Sequence, residues 1–537
     1  VAPKLRDWLM QPAPKLRLGA VRVDRTRNGI VRGKAVLDDA GWQPVGTIPA
    51  LQGFAGNLSF DNSAIALQFR RRPSSILWPP AFGDPMPMEF SGNLVAWRDG
   101  ASWTLGTSNL HAQNNDVSLD TRMAMRFDAD GTRPRLDLFS TVGPAHVSAA
   151  HRYWILHKMP PKTVAWLDSA LEGGEVLGAH AIVSGDLDDW PFLHNEGLFE
   201  IVADLADAQV HFNPEWPRAD HVSGRLAFVD DGMRFDGSGE IVGIQAKQLS
   251  AEIPDFHQAV LDINAVAAGS GRQMLALMRQ SPLQKRYGDT FNALDVQGDG
   301  QGATLHLVLP LHHELGGPKV DGDVALGHAT LSDKRWNLLL TDANGYLHYN
   351  QAGLLADALD VKVNGDPAKF RLAIGDATGD PAMAVSAQLR GAFPPATLLQ
   401  HAAALDWLKT IITGRTAWTV DVHVPKAAAG ANAAPAILDV GSDLRGAQLQ
   451  LPAPLDKPAS QALALQVHAL LPADAGDLVV KLGDLLTLRG RYSDAHPFRG
   501  VLDFGGDGSG TLPSQGIIVN GHVPELDAIG WIAFAAN

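Results

Sequence analysis

A chain of 537 residues with 45% hydrophobic side chains is long and apolar enough to bury an extensive core, which excludes a disordered segment. Its net charge of -14 is spread along the sequence and excludes the concentrated Lys/Arg that nucleic acid or an anionic membrane surface requires. The absence of cysteine excludes disulfides, Fe–S clusters, cysteine zinc sites and cysteine nucleophiles, and agrees with an oxidising compartment such as a bacterial periplasm.

The first residues read Val-Ala-Pro-Lys-Leu-Arg, with neither a signal peptide nor a stretch of about 18 apolar residues that could span a bilayer. The expectation is a middle segment of a longer protein whose anchor lies elsewhere. Leu16, Leu18, Val21 and Val23 then alternate with Arg and Lys, and Asn28–Gly29 signals a hairpin. Leu58 and Phe60, followed by Ile65, Leu67 and Phe69, predict two more strands. The proline-rich stretch Pro73–Pro87 predicts a loop. The cleanest alternation follows: Val117, Leu119, Thr121, Met123, Met125 and Phe127 on one face, Asp116, Ser118, Asp120, Arg122, Ala124 and Arg126 on the other.

Pro161 opens a predicted helix carrying Val164, Leu167 and Leu171, with Gly173–Gly174 as its stop. Strands resume over residues 198–256. A second helix is predicted at Gln273–Gln280, where Met274, Leu275, Leu277 and Met278 form an apolar stripe before Ser281–Pro282. Leu305, Leu307, Leu309 and Leu311 mark the next strand. Residues 345–374 read as hairpins in series, with Leu359, Val361 and Val363, then Phe370, Leu372 and Ile374, on the apolar side. A third helix is predicted from Pro394–Pro395 through Leu398, Leu405, Leu408 and Ile412 to Gly414. Trp418, Val420, Val422 and Val424 give a strand, Ala427–Ala436 a low-complexity loop, and 463–534 further strands and turns.

The organisation expected is β-repeats over 1–150, a helix, β-repeats and a second helix over 151–300, and β-repeats with one helix near 395–413 over 301–537. A Gly-x-Leu-x-aromatic motif recurs at Gly56-Leu58-Phe60, Gly224-Leu226-Phe228, Gly345-Leu347-Tyr349 and Gly500-Leu502-Phe504, with a near-copy at Gly92-Leu94. Its irregular spacing reads as a divergent repeat with insertions.

Catalytic signatures are missing. Gly298, Gly300 and Gly302 mimic a phosphate loop, but a strand follows where a helix is needed, so a hairpin turn is expected. His312 and His313 are adjacent and point to opposite faces of an extended chain, which disfavours joint metal ligation. Asp186, Asp188 and Asp189 lack the spacing of a calcium loop. No Gly-x-Ser-x-Gly, Walker or His-Glu-x-x-His pattern occurs. Abundant carboxylates leave a glycosidase pair open, though nothing singles one out. The expectation is a non-enzyme with no catalytic residue, metal or cofactor.

What remains is one-sided apolar surface that three short helices cannot cover. Large exposed apolar patches are rare in soluble monomers. Two arrangements dispose of it. The sheet folds on itself as sandwiches, or it curls into a trough that holds something apolar.

Several stretches resemble the YhdP group of the AsmA-like bacterial envelope proteins: WLDSALEGGEV (166–176), SGDLDDWPF (184–192), GLFEIVADLADAQVHFNPEWP (197–217), the unit from GRLAF to IPDF (224–256), SDLRGAQLQLPAPLDKPA (442–459) and GIIVNGHVPELDAIGW (516–531). The resemblance covers most of residues 20–535. It implies a mainly β fold: an extended, twisted antiparallel repetitive sheet curled into a hydrophobic groove, with about three short α-helices. It also implies a periplasmic part of a protein anchored in the inner membrane. Such a protein is similar to bridge-like lipid transporters that conduct phospholipid between inner and outer membrane. The partners implied are phospholipid acyl chains, with the membranes reached through parts of the protein outside this chain. The groove candidates are Val117, Leu119, Met123, Met125 and Phe127; Leu305, Leu307 and Leu309; Leu359, Val361 and Val363; Phe370, Leu372 and Ile374; and Trp418, Val420 and Val422. A scaffold for outer-membrane protein assembly, working through exposed sheet edges, is the alternative. A β-solenoid enzyme acting on polysaccharide ranks third.

Overall fold

The computed structural model describes residues 13–536 except 28, 30, 46–48, 83, 131, 155, 157, 158, 191, 193, 195, 312, 400–407, 427–433, 494 and 495. It is mainly β, with 60% of residues in strands and 12% helical. Two compact units form: Val1–Ala267 with Gln280–Pro282 and Leu307–Pro318, and Ala268–Arg279 with Leu283–His306 and Lys319–Asn537. The expected boundary at residue 150 falls inside the first unit, because Arg135–Val142 pairs directly with Leu171–Asp186.

The first unit holds β1 (Lys15–Arg25), β2 (Val31–Gly41), β3 (Ala50–Phe60), β4 (Ala64–Arg70), β5 (Pro73–Leu77), β6 (Met86–Asp99), β7 (Ser102–Gln113) and β8 (Ser118–Phe127). It continues with β9 (Arg135–Val142), β10 (Ala145–His146), β11 (Leu171–Asp186), β12 (Leu198–Val210), β13 (Ala219–Val229), β14 (Gly232–Ile241), β15 (Ile244–Ile253) and most of β16 (Val260–Gly269). Pairing is antiparallel and nearly sequential. β6 to β9 follow one another, β9 pairs with β11, and β11 to β15 continue the ladder.

The second unit holds β17 (Leu294–Gln297), part of β18 (Gln301–Pro310), β19 (Lys319–Asp333), β20 (Leu338–Asn350), β21 (Gly353–Val363), β22 (Asp366–Gly375) and β23 (Met383–Phe393). Then come β24 (Ile412–Gly414), β25 (Thr416–Pro425), β26 (Ala436–Ser442), β27 (Ala447–Leu449), β28 (Leu465–Leu471), β29 (Leu478–Leu482), β30 (Leu486–Ser493), β31 (His496–Phe504) and β32 (Gly516–Gly521). From β19 to β31 the ladder is antiparallel, and β32 adds in parallel. β24 and β27 leave this ladder to form a separate two-stranded sheet.

The described helices are α1 (Pro79–Phe82), α2 (Pro161–Ala170), α3 (Gly271–Arg279), α4 (Gln284–Ala293), α5 (Pro395–Leu399), α6 (Leu408–Ile411) and α7 (Ala528–Ala536). The first two expected helices are α2 and α3, and the third is represented by α5 and α6, with Leu405 outside the described residues. α1, α4 and α7 add to the three read from sequence. α4 is polar overall, with Tyr287 and Phe291 its large apolar residues, and α7 (AIGWIAFAA) is apolar all round, so neither carries the run of aliphatic residues by which the other helices are read.

Two expectations are corrected. Pro73–Pro87 is no loop: Pro73 starts β5, α1 follows, and Pro87 lies in β6 opposite Ser75. Proline is tolerated at the first residue of a strand and where its missing N–H is not needed. Gly173–Gly174 does not end a helix either. α2 stops at Ala170 and β11 runs through both glycines. At Gly174, φ is +103° and a Cβ would meet the Ala208 Cα at 2.3 Å, so glycine serves close strand contact. Asn28, His312 and most of the Ala427–Ala436 run lie outside the described residues.

Bulges recur at matching places. Leu37, Leu205 and Leu326 pair with Gly56, Gly224 and Gly345, the first glycines of three Gly-x-Leu-x-aromatic motifs. In each case three residues on one strand then span two on its neighbour, and the next pairs are Ala40 with Phe54, Ala208 with Val222 and Ala329 with Ala343. An extra residue bends its strand and strengthens the local twist. The inside of such a bend has room only for a small side chain, and Ala208, Ala329 and Ala343 are 0% exposed. Asp207, His221, His328 and Asp342 adopt φ near +50°, costly for non-glycine residues. Cross-strand pairs hold them: His221 Nδ1 lies 2.6 Å from Asp207 Oδ1, and His328 Nδ1 lies 2.6 Å from Asp342 Oδ1.

The hydrogen bond that the protonated ring donates to the Asp207 carboxylate raises the His221 pKa, with Glu240 and Asp220 adding to the effect. Because the folded value exceeds the unfolded one, the pair contributes fully below about pH 6.5 and is lost as pH rises through the folded pKa. Asp207→Asn is expected to move the His221 titration midpoint down toward the ordinary value in an NMR titration; an unmoved midpoint contradicts the pairing. Ala343→Leu is expected to cost about 1–3 kcal/mol in urea unfolding, because the bend cannot take the added volume.

Candidate functional site

In the first unit, register aligns apolar side chains into rows that cross many strands. One row is Met123, Leu138, Val183 and Phe199. The next is Ser140, Ala181, Ile201, Phe228, Met233 and Ile253, and a third runs Leu119, Val142, Ala179, Ala203, Leu226, Phe235 and Ala251. Thr121 and Ser140, the hydroxyl pair on this face, satisfy one another at 2.9 Å. The opposite face pairs Asp120 with Thr141, Ala124 with Asp137 and Arg126 with Arg135, and His111 bonds Asp120 at 2.9 Å.

Most of these apolar side chains are half-buried. On β8 no residue is fully buried, and on β11, β12 and β13 only Gly185, Ala208 and Val222 are. A second sheet packed on this face would bury alternate residues completely, as two inner faces interdigitate. Dry clusters adjoin the third row: Leu37, Phe54, Phe69, Met86, Met88 and Phe90, on which Leu119 packs, and Val147, Ala208, Val222 and Phe235, on which Leu226 and Ala251 pack.

The second unit repeats the pattern over a longer ladder. Leu359, Phe370, Leu389, Val420, Val440, Val467, Val480, Leu488 and Leu502 form one row. Leu372, Ala387, Val422, Leu438 and Ala469 form its neighbour. The wet face is stitched by Lys369–Asp360 at 2.6 Å, Arg371–Asp357 at 3.0 Å, Gln388–Asp421 at 2.6 Å and His468–Asp439 at 2.8 Å.

The structure divides the seventeen sequence candidates by accessibility. Leu359 (1%), Val361 (3%) and Trp418 (6%) are buried, as are Val363, Phe370, Ile374, Leu307 and Leu309. Val117, Leu119, Met123, Met125, Leu305, Leu372, Val420 and Val422 are half-buried, and Phe127 is exposed at 36%. Leu119, Met123 and Met125 share one face of β8, whereas Val117 precedes the strand. Leu359, Phe370, Leu372, Val420 and Val422 fall in adjoining rows of one face. Leu305 belongs to the second unit, Leu307 and Leu309 to the first. The candidate set omitted Leu138, Val183, Ile201, Leu226 and Phe228, and Leu438, Val440, Val467 and Leu488. The same alternation could have flagged them.

Where β23 ends and β25 begins, midway along the second unit's ladder, the apolar face is closed by protein. Phe393, Thr416 and Leu444 are buried there, and the Trp418 Nε1–H donates to Phe393 O at 3.0 Å. The sheet of β24 and β27 lies beside them. The buried Lys457 closes the assembly. Its ammonium donates to Leu444 O at 2.8 Å, Ala447 O at 2.6 Å and Pro458 O at 3.1 Å, and burial lowers its pKa.

Asp231, Asp255 and His257 converge, with His257 Nδ1 at 2.5 Å from Asp231 and 3.3 Å from Asp255. They bond one another across two neighbouring turns, the one between β13 and β14 and the one after β15. Asp186 accepts the Asp188 N–H and Asp188 the Arg133 N–H, so these carboxylates serve loop geometry. Gly298 and Gly300 lie in the short connection between β17 and β18, and β17 pairs with β19 rather than with β18. No helix among the described residues is long and apolar enough to cross a membrane.

The family model described as "YhdP protein" matches residues 1–537. A curated relative from Escherichia coli (strain K12), the "Intermembrane phospholipid transporter YhdP", is 26% identical over 476 residues, covering 87% of this chain and 36% of that protein. The chain therefore spans little more than a third of that relative's length. No solved structure matches it.

Lys457→Met removes an ammonium shared by three carbonyls, of which Leu444 O and Pro458 O keep a backbone N–H from Ala447 and Gln461. Amide exchange across Leu444–Pro458 is expected to quicken roughly ten- to hundredfold, since each lost charged hydrogen bond is worth about 1–3 kcal/mol. Unchanged protection contradicts the clasp.

Proposed function

The chain belongs to the YhdP family, and from that premise we propose that it is one length of a periplasmic phospholipid conduit. Acyl chains lie along the apolar rows while head groups stay in water. The anchor and the contacts with inner and outer membrane belong to other parts of the protein. The observation that carries this reading is an apolar face that crosses many strands in each unit and stays half-exposed.

Retention follows from area: burial of apolar surface supplies about 25 cal/mol per Å². Rows of similar side chains make successive positions nearly equal in energy, so a lipid can move along the face without a deep trap. No residue is asked to break or form a bond. The lining consists of the accessible candidates, Leu119, Met123 and Met125 in the first unit and Leu372, Val420 and Val422 in the second. Val117, Leu305 and Phe127 stand at its margins. The buried candidates, Leu307, Leu309, Leu359, Val361, Val363, Phe370, Ile374 and Trp418, are covered by protein and lie outside it, because side chains closed to water are also closed to a lipid tail.

Val422→Glu and Val361→Glu separate lining from packing. Phospholipid is extracted from the purified chain and assayed as phosphate, and unfolding is followed in urea. Val422→Glu is expected to lower bound lipid severalfold with the fold retained, because the carboxylate reaches water. Val361→Glu buries a charge and is expected to destabilise by several kcal/mol. A lipid-free parent chain, or a Val422→Glu variant with undiminished lipid, contradicts the proposal.

A further inference from the structure

We infer that the first unit carries a binding site for a phosphate ester on its wet face, across β1 to β4. Register sets Arg22 opposite Lys34, Lys34 opposite Ser59 and Ser59 opposite Ala66, and it sets Asp24 opposite Arg32. Side chains two apart on a strand share a face, so Arg22, Arg32 and Lys34 stand together. Val21, Ala35, Leu58 and Leu67 align on the opposite face. The site is therefore independent of the apolar rows and of the conduit reading.

The three cations line a cavity of about 470 Å³ together with Asp24, Ser59, Asp61, Ala64 and Ala66. Neighbours on one face of a sheet stand about 5 Å apart across strands and about 7 Å apart along one strand. Cations at those separations surround a space that one tetrahedral anion fills. The small side chains of Ala64 and Ala66 leave room beside it for the organic part of an ester.

The charges in the cavity do not cancel. Like charges directly opposite one another destabilise a sheet. Arg22 is relieved by Asp24, with its Nε at 3.2 Å from the carboxylate. Arg32 and Lys34 form no ion pair among the described residues. Asp61 is engaged in its own turn: its Oδ1 accepts the Ser63 N–H at 2.8 Å, the Ser63 hydroxyl at 2.9 Å and the Ala64 N–H at 2.9 Å. Those bonds, with Arg32 adding to them, hold its carboxyl below the usual carboxylate range. Three cations against two carboxylates leave the cavity at +1 in a chain of net charge -14.

A phosphate offers oxygens in several directions at once. It can take charged hydrogen bonds from Arg22, Arg32 and Lys34 and a further one from the Ser59 hydroxyl, where a flat carboxylate would reach fewer of them. Three cations are too few for the extended basic surface that nucleic acid requires, and they suit a single phosphate group.

Glycerol 3-phosphate is titrated into the chain and followed by calorimetry. Lys34→Gln and Arg32→Gln alter exposed side chains, and each is expected to weaken binding roughly tenfold. Asp24→Asn removes the carboxylate that competes for Arg22 and is expected to tighten binding severalfold, a gain that misfolding cannot produce. Binding is also expected to tighten as pH rises through about 6, where a phosphate monoester takes its second charge. Vesicles containing phosphatidylglycerol separate the two sources of the group. Sedimentation of the parent chain with them, lost in Lys34→Gln, assigns the phosphate to a lipid head group; binding of glycerol 3-phosphate alone assigns it to a soluble ester. Absence of binding to either probe, binding that both glutamine variants leave unchanged, or an Asp24→Asn variant that binds no tighter overturns the site and leaves the conduit standing.

Discussion

A strand can hide only one of its two faces, and the ladder that satisfies its backbone does nothing to cover the other. Every feature of both units follows from how this constraint is met. Alternation puts leucine, valine, methionine and phenylalanine on one side and cross-strand ion pairs on the other. Register then aligns the apolar members into rows. Where the rows are covered, as around Phe54 and Phe69 or around Leu359 and Val361, the protein has an ordinary core. Where they are left half-covered, as from Met123 to Phe199 and from Val420 to Leu502, apolar surface stays within reach of water, which is uncommon over so many strands.

The bulges give that face its local form. A leucine before the extra residue, a glycine opposite it and an alanine after it recur on β2, β12 and β19. The extra residue bends the strand, the glycine lets the backbones approach, and the alanine fits inside the bend. The His–Asp pairs at 207/221 and 328/342 hold the strained backbone on the wet side, where water screens them, so they set geometry more than stability.

Much of this was legible in the sequence. Period-two alternation located β8, β21, β22 and β25, and the resemblance to the YhdP group agrees with the family match over the whole chain. Two kinds of information were not. Alternation reports which residues share a face but not whether that face is covered, so Val361 and Val422 look alike in sequence and differ in burial. The Leu-x-Asp/His-Ala signature of the bulges was also passed over, because it breaks the alternation that reveals a strand. Gly173–Gly174 misled for a related reason: glycine demanded by close backbone approach resembles glycine that ends a helix.

The central claim is that acyl chains occupy the half-exposed rows and not the buried ones. Photocrosslinking tests it directly, with a phospholipid carrying a diazirine in its acyl chain and mass-spectrometric mapping of the labelled peptides. The account predicts adducts on β8, β9, β25 and β26, at side chains such as Met123, Leu138, Val422 and Leu438, with little at Leu359 or Val361. Adducts spread over the wet face, or concentrated on the buried set, would contradict it.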